Sequence, residues 1–202
     1  MVAQAEKTCI DIKNSLVKTG LFSDSGNTWR ISPEPYFLSP EETNFFHELG
    51  PKLLKFYSAL DSFYLDSSKG KTHPWIADYL DAGKPQELVE FGRMKRMRKV
   101  LPGIIRPDVI ATENGFTLTE LDSVPGGFGL TSALMSFYEN PSWEMTGDGI
   151  PSLFYNMVAS ISNETSPNAA IVVSDEAKDY LAEMQYLASI LNQKGVYVVH
   201  PK

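Results

Sequence analysis

Cysteine occurs once in this chain, as Cys9. A single thiol closes no internal disulfide and builds no thiolate metal cluster. Histidine is almost as scarce. His47, His73 and His200 stand far apart, with no HExxH pair, and no serine sits in a GxSxG elbow. The local signatures of zinc proteases and serine hydrolases are therefore missing. Positive charge is in the minority, with 18 basic against 25 acidic residues and a net charge of -7. That balance argues against nucleic acid or an anionic membrane as the main partner. No stretch approaches the ~20 apolar residues of a membrane span. The polar N-terminus lacks the apolar core of a signal peptide. Together these absences predict a cytoplasmic protein.

Internal repeats and low-complexity tracts are also missing. What is present suits a packed core, since 43% of the 202 residues are hydrophobic and 21% charged. A chain of this length can bury ~70% of its unfolded surface. It closes on VYVVHPK, just as a strand finishes. Compact domains seldom stop there, so a fragment of a longer chain is expected.

Residues 3–19 read as a helix marked by Ile10, Ile12, Leu16 and Val17 and stopped by Gly20. Ser39-Pro40-Glu41-Glu42 is a helix start with a capping box, and the helix should run to about Leu65. Its expected buried side carries Phe45, Phe46, Leu49, Leu53, Phe56, Leu60, Phe63 and Tyr64. Two shorter helices follow, over 72–80 and 85–98. In the second, Met94 and Met97 mark the buried stripe among Arg93, Lys95, Arg96, Arg98 and Lys99, a basic run that reads as a solvated face or as a wall for phosphates. Then the pattern changes. RPDVIAT and FTLTELD are strands about Glu113-Asn114-Gly115, a hairpin signal. Helices over 130–138 and 150–161 lead to AAIVVS, a helix over 175–192, and VYVVH, which together predict a parallel β-α-β unit. The fold class is thus α/β: a mainly helical part over 1–102, then an α/β part over 103–202 with a β-hairpin and a Rossmann-like β-α-β.

The chemistry concentrates between Arg106 and Gly129. Alternate strand residues share a face, so Glu120 and Asp122 project together. A two-residue Asn114-Gly115 loop would pair Val109 with Glu120. A three-residue loop with Gly115 in a left-handed bulge would pair Asp108 with Glu120 and Arg106 with Asp122. The second register is favoured, because the first sets a carboxylate opposite a valine inside a sheet. Three carboxylates about one arginine leave excess negative charge, which a divalent cation with hard oxygen ligands would relieve. A structural ion-pair network is the alternative. The PGGFG turn that follows opens a helix, where glycine admits close approach and the helix start favours an anion. A plain tight turn would explain the same glycines. The three histidines, the tryptophans Trp29, Trp75 and Trp143, and Cys9 carry no comparable pattern.

RPDVIATENGFTLTELDSVPGGFG resembles the substrate-side segment of the glutathione synthetase and glutathionylspermidine synthase branch of the ATP-grasp superfamily. Arg106 and Asp108, Glu120 and the Pro125-Gly126-Gly127 loop carry the likeness. DYLAEMQYLASILNQKGVYVV is similar to that family's pre-ATP-grasp domain, and WRISPEP to EFGRMKRMRK resembles stretches of bacterial proteins of this kind. The resemblance implies that Glu120 and Asp122 hold Mg²⁺ beside the phosphates of ATP. It also implies that Arg106, Asp108, Ser123, Val124, Pro125, Gly126 and Gly127 contact substrate, with Lys178 and Tyr180 a looser match. Asp122 stands where the family has asparagine, which adds a charge. No ATP-grasp core follows, so the resemblance puts most of the nucleotide site outside this chain. The implied activity is the substrate- and metal-binding portion of an ATP-dependent carboxylate–amine ligase, inactive alone, with a small-molecule carboxylate or amine as partner. Two other readings stay open: a non-catalytic binding module for a phosphorylated metabolite, and a metal-dependent sugar-nucleotide transferase. Oligomeric state is open as well.

Overall fold

The structure, a computed structural model, describes residues 2–23, 29–122, 126–138, 149–193 and 198–199. It is a mixed α/β protein whose described residues form seven α-helices and two short sheets. The chain divides into two compact units, Leu38–Ser123 and the pair of segments Met1–Phe37 with Val124–Lys202. The change in composition at 102/103 therefore falls inside the first of these. No described helix is long and apolar enough to cross a membrane.

In the unit Leu38–Ser123, α2 (Pro40–Ser67) begins with the capping box foreseen for it. Glu42 N–H donates to Ser39 Oγ at 3.2 Å, and Ser39 N–H donates to Glu42 Oε2 at 2.7 Å. Two otherwise unpaired donors at the helix start are thereby satisfied. The helix continues through Pro51. Its buried apolar positions are Leu49, Leu53 and Leu65, while Phe56, Leu60 and Phe63 are more than 40% exposed. The apolar stripe is thus wider than the surface this unit covers.

Ser67, buried at the end of α2, ties down α3 (Pro74–Asp81). Its hydroxyl donates to His73 O at 2.6 Å and accepts from Ala77 N–H at 3.0 Å, so the first turn of α3 is satisfied without a side-chain cap of its own. The next helix, α4 (Gln86–Arg93), is shorter than the sequence predicts. Gly92 weakens its last turn, Met94 is extended, and a single 3₁₀ turn spans Lys95–Met97. Met94 is accordingly exposed and forms no buried helical stripe with Met97. Strands β1 (Arg106–Thr112) and β2 (Gly115–Asp122) then form the antiparallel hairpin. Phe116 rests on Phe45 and Phe46 of α2, with ring centroids 5.1 and 5.0 Å away.

The other unit is built around two apolar clusters. Helix α1 (Val2–Lys18) supplies Ile12 and Leu16, which pack with Leu21, Phe22 and Ala133. Gly20 takes a positive φ of 73° and ends the helix where the sequence places its stop. In the second cluster Met184, Leu187, Ala188 and Leu191 of α7 (Leu181–Gln193) meet Phe154 and Tyr155 of α6 (Gly149–Ser162). Helix α5 (Phe128–Phe137) also packs on α7. A Cβ on Gly129 would stand 2.7 Å from Glu183 Cα, so only glycine permits this crossing.

Strand β3 (Ala169–Ala170) pairs in parallel with β4 (Val198–Val199), and α7 lies between them in sequence. The pairing is two residues long. Val172, expected within the first strand, lies beyond its end and is 79% exposed. The helix expected from Asp175 begins as a 3₁₀ segment, Asp175–Tyr180, and becomes α-helical only at Leu181.

Candidate functional site

The hairpin pairs Arg106 with Asp122 and Asp108 with Glu120, the favoured register. The route to it differs from the expected one. Thr112 pairs directly with Gly115, so the loop is Glu113-Asn114, and the extra residue of β2 is taken up as a bulge at Thr119. Gly115 still carries a positive φ of 101°, a conformation that costs a side-chain residue more than glycine. Thr119 Oγ1 donates to Asp108 O at 3.3 Å across the irregularity. A bulge placed there re-aims the strand end that carries the carboxylates.

Within this strand end Arg106 Nη2 donates to Asp122 Oδ2 at 2.8 Å, while its Nε lies 3.8 Å from Asp108 Oδ1. The Asp122 side chain is 25% exposed and that of Asp108 52%. Glu120 is exposed and makes no ion pair among the described residues. One guanidinium against three carboxylates leaves two negative charges at this end of the hairpin. Asp122 is already charge-neutralised in part, whereas Glu120 faces solvent with its charge uncompensated.

As a chemical set, Glu120 and Asp122 offer the hard carboxylate oxygens that Mg²⁺ takes. Mg²⁺ commonly uses only one or two carboxylates alongside water and phosphate. Among the described residues, no group of three or more His, Cys, Asp or Glu side chains could hold a metal by itself.

The other candidates lie in the second unit or outside the described residues. Ser123, Val124 and Pro125 fall outside them. Gly126 is buried, and Gly127 is the N-cap of α5 with a φ of 83°. The start of α5 already receives a carboxylate from within the chain: Leu130 N–H donates to Glu183 Oε2 at 3.2 Å. This internal carboxylate uses the helix-start polarity that the PGGFG turn offers an anion. Lys178 and Tyr180 sit on the 3₁₀ segment before α7. Lys178 is exposed, and Tyr180 lines a cavity of about 240 Å³ together with Phe154, Val173 and Met184.

Two clusters carried no pattern that the sequence alone could reveal. Glu183 is one residue of a predicted helix, and its role depends on a contact with a residue 53 positions earlier. The other joins α2, α3 and α4. Tyr64 Oη donates to Asp81 Oδ1 at 2.8 Å, Arg93 Nε donates to Tyr64 Oη at 3.1 Å, and Arg93 Nη2 donates to Asp81 Oδ2. Burial raises the Tyr64 hydroxyl above its ordinary range, with the Arg93 hydrogen bond opposing and Asp81 assisting. This cluster draws Arg93 out of the basic run and makes it a structural residue.

No family model, no curated protein and no solved structure matches this chain.

Proposed function

We propose that this chain is the substrate- and metal-binding portion of an ATP-dependent carboxylate–amine ligase of the glutathione synthetase-like type. The observation that carries the reading is the hairpin register. It sets Arg106 against Asp122 and Asp108 against Glu120, leaving net negative charge beside an arginine at one strand end. In this reading Glu120 and Asp122 hold Mg²⁺, and most of the nucleotide site lies outside the chain. When bound, Mg²⁺ would neutralise charge on the phosphates of ATP.

The chain's own groups would bind and orient substrate. Arg106 donates to Asp122 and carries a planar fork of N–H donors of the kind that orients a substrate carboxylate. Asp108 Oδ1 lies 3.8 Å from the guanidinium Nε, within ion-pair range but beyond a hydrogen bond. Residues 123–127, Lys178 and Tyr180 complete the proposed substrate contacts, and the parallel pairing of β3 with β4 about α7 is proposed as the edge of a Rossmann-like unit. The partner is a small molecule, with neither nucleic acid nor membrane involved, and the compartment is the cytoplasm. The reading as a module for a phosphorylated metabolite loses ground to the Glu183 carboxylate, which occupies the helix start that such a ligand would need.

Calorimetric titration of Mg²⁺, with and without ATP, tests the proposal. Wild type should bind Mg²⁺, and Glu120→Gln should weaken binding about tenfold or more through loss of a charged hard oxygen. Identical isotherms for the two proteins would exclude the metal site.

A further inference from the structure

The unit Leu38–Ser123 contains a cavity of about 500 Å³ between α2 and β2. Phe45, Leu49, Leu53 and Phe56 line it from the helix, and Leu118 and Glu120 from the strand. The size suits a small organic ligand, and apolar walls with a few polar groups are the usual make-up of such sites. Its two charged residues differ in what they leave available. Lys52 Nζ lies 2.6 Å from Glu48 Oε2, one helical turn away, and that bond lowers the Glu48 carboxyl below its usual range. The positive charge at the cavity is therefore met from within α2. Glu120, in contrast, has no ion-pair partner among the described residues.

An apolar cavity whose unmet charge is one carboxylate complements a ligand with a hydrocarbon body and one cationic end. We propose that this cavity binds a primary alkyl- or arylalkylamine, its chain against Phe45, Leu53 and Phe56 and its ammonium on Glu120. Anions are disfavoured by Glu120, and a neutral alcohol gains the apolar contacts without the charge. The inference rests on the cavity and not on the ligase reading. If that reading also holds, the amine is of the acceptor's class. An ammonium and Mg²⁺ would compete for the same carboxylate, so the test excludes metal and ATP.

Hexylamine, hexan-1-ol and hexanoate are titrated calorimetrically into the full chain in chelator-treated buffer. Hexylammonium should bind about three- to fivefold more tightly than the alcohol, the range of a solvent-accessible ion pair, and hexanoate more weakly than either. Glu120→Gln should make amine and alcohol equal, whereas Phe56→Ser should weaken both. Both substituted side chains are exposed, and a circular dichroism spectrum matching wild type confirms that each variant is folded. Wild type offers an independent readout, because added salt should shrink the advantage of amine over alcohol. The proposal fails if hexanoate binds as well as hexylamine, if Glu120→Gln leaves the preference intact, if salt does not alter it, or if none of the three binds. A failed amine titration leaves the Mg²⁺ titration standing, and a failed Mg²⁺ titration leaves the amine result standing.

Discussion

At the scale of single residues, Tyr64 shows how a side chain with no motif joins three helices. Its hydroxyl lies between Asp81 and Arg93, and the Asp81 side chain is 15% exposed. Tyr64→Phe should cost about 1.5–3 kcal/mol in urea unfolding, the range of a hydrogen bond to a charged group. The pH dependence has a definite sign. Burial raises the folded-state pKa of Tyr64 above the ordinary tyrosine value of 10.0, so the associated stability is present below that value and lost as pH rises through the folded-state value. Stability should therefore fall more steeply above about pH 10 in wild type than in Tyr64→Phe. Equal alkaline slopes would show that Tyr64 ionises as freely folded as unfolded. Glycines offer a second comparison. Gly129→Ala drives a Cβ into the Glu183 backbone and should cost at least ~1–3 kcal/mol. Gly92 lies within α4, followed by arginine, and a Cβ there meets nothing within 4 Å beyond its own helix and chain neighbours, so Gly92→Ala should stabilise by about 0.5–1 kcal/mol. Thermal melts of the two variants should shift in opposite directions.

At the scale of elements, the parts readable from sequence were those fixed by local chemistry. Ser39, Pro40 and Glu42 announced α2, Gly20 announced the end of α1, and Glu113-Asn114-Gly115 announced the hairpin. Parts decided by contacts distant in sequence were not readable. Phe56, Leu60 and Phe63 follow helical periodicity yet remain exposed, because periodicity shows which residues share a face and not whether another element covers it. The bulge at Thr119 depends on how the ladder distributes one extra residue, and its position has no residue signature. PGGFG was legible as a turn before a helix, but the carboxylate that reaches the helix start comes from α7. Glu183→Ala should cost ~1 kcal/mol, as loss of a helix-start partner usually does. Glu183→Gln, which retains an acceptor oxygen, should cost less. Equal losses in the two variants would assign the effect to charge rather than to the hydrogen bond.

At the scale of the whole molecule, the two units differ in how much apolar core each encloses. Among the described residues, Leu38–Ser123 buries Leu49, Leu53, Leu65 and Ala77, whereas the other unit contains both multi-residue core clusters. A two-stranded hairpin is marginal alone and relies on what it packs against, here the aromatic contact of Phe116 with α2. Native-state hydrogen exchange should therefore be slowest in α7, around Leu187 and Leu191, and faster in β1 and β2. The same hairpin holds the proposed site, so its ion pairs must be separated into those that support the fold and those that face a ligand. Asp122 belongs to the first group through Arg106 and can also belong to the second, while the solvent-facing charge of Glu120 fits the second alone. Urea unfolding of wild type, Asp122→Asn and Glu120→Gln, each with and without saturating Mg²⁺, measures that separation directly. Without metal, Asp122→Asn should lose about 1–3 kcal/mol, and Glu120→Gln should match or exceed wild type because repulsion with its neighbouring carboxylates is relieved. With Mg²⁺, wild type should gain stability and Glu120→Gln should not. A loss in Glu120→Gln as large as that in Asp122→Asn, with no effect of Mg²⁺ on wild type, would contradict the account and make the whole strand end an ion-pair scaffold.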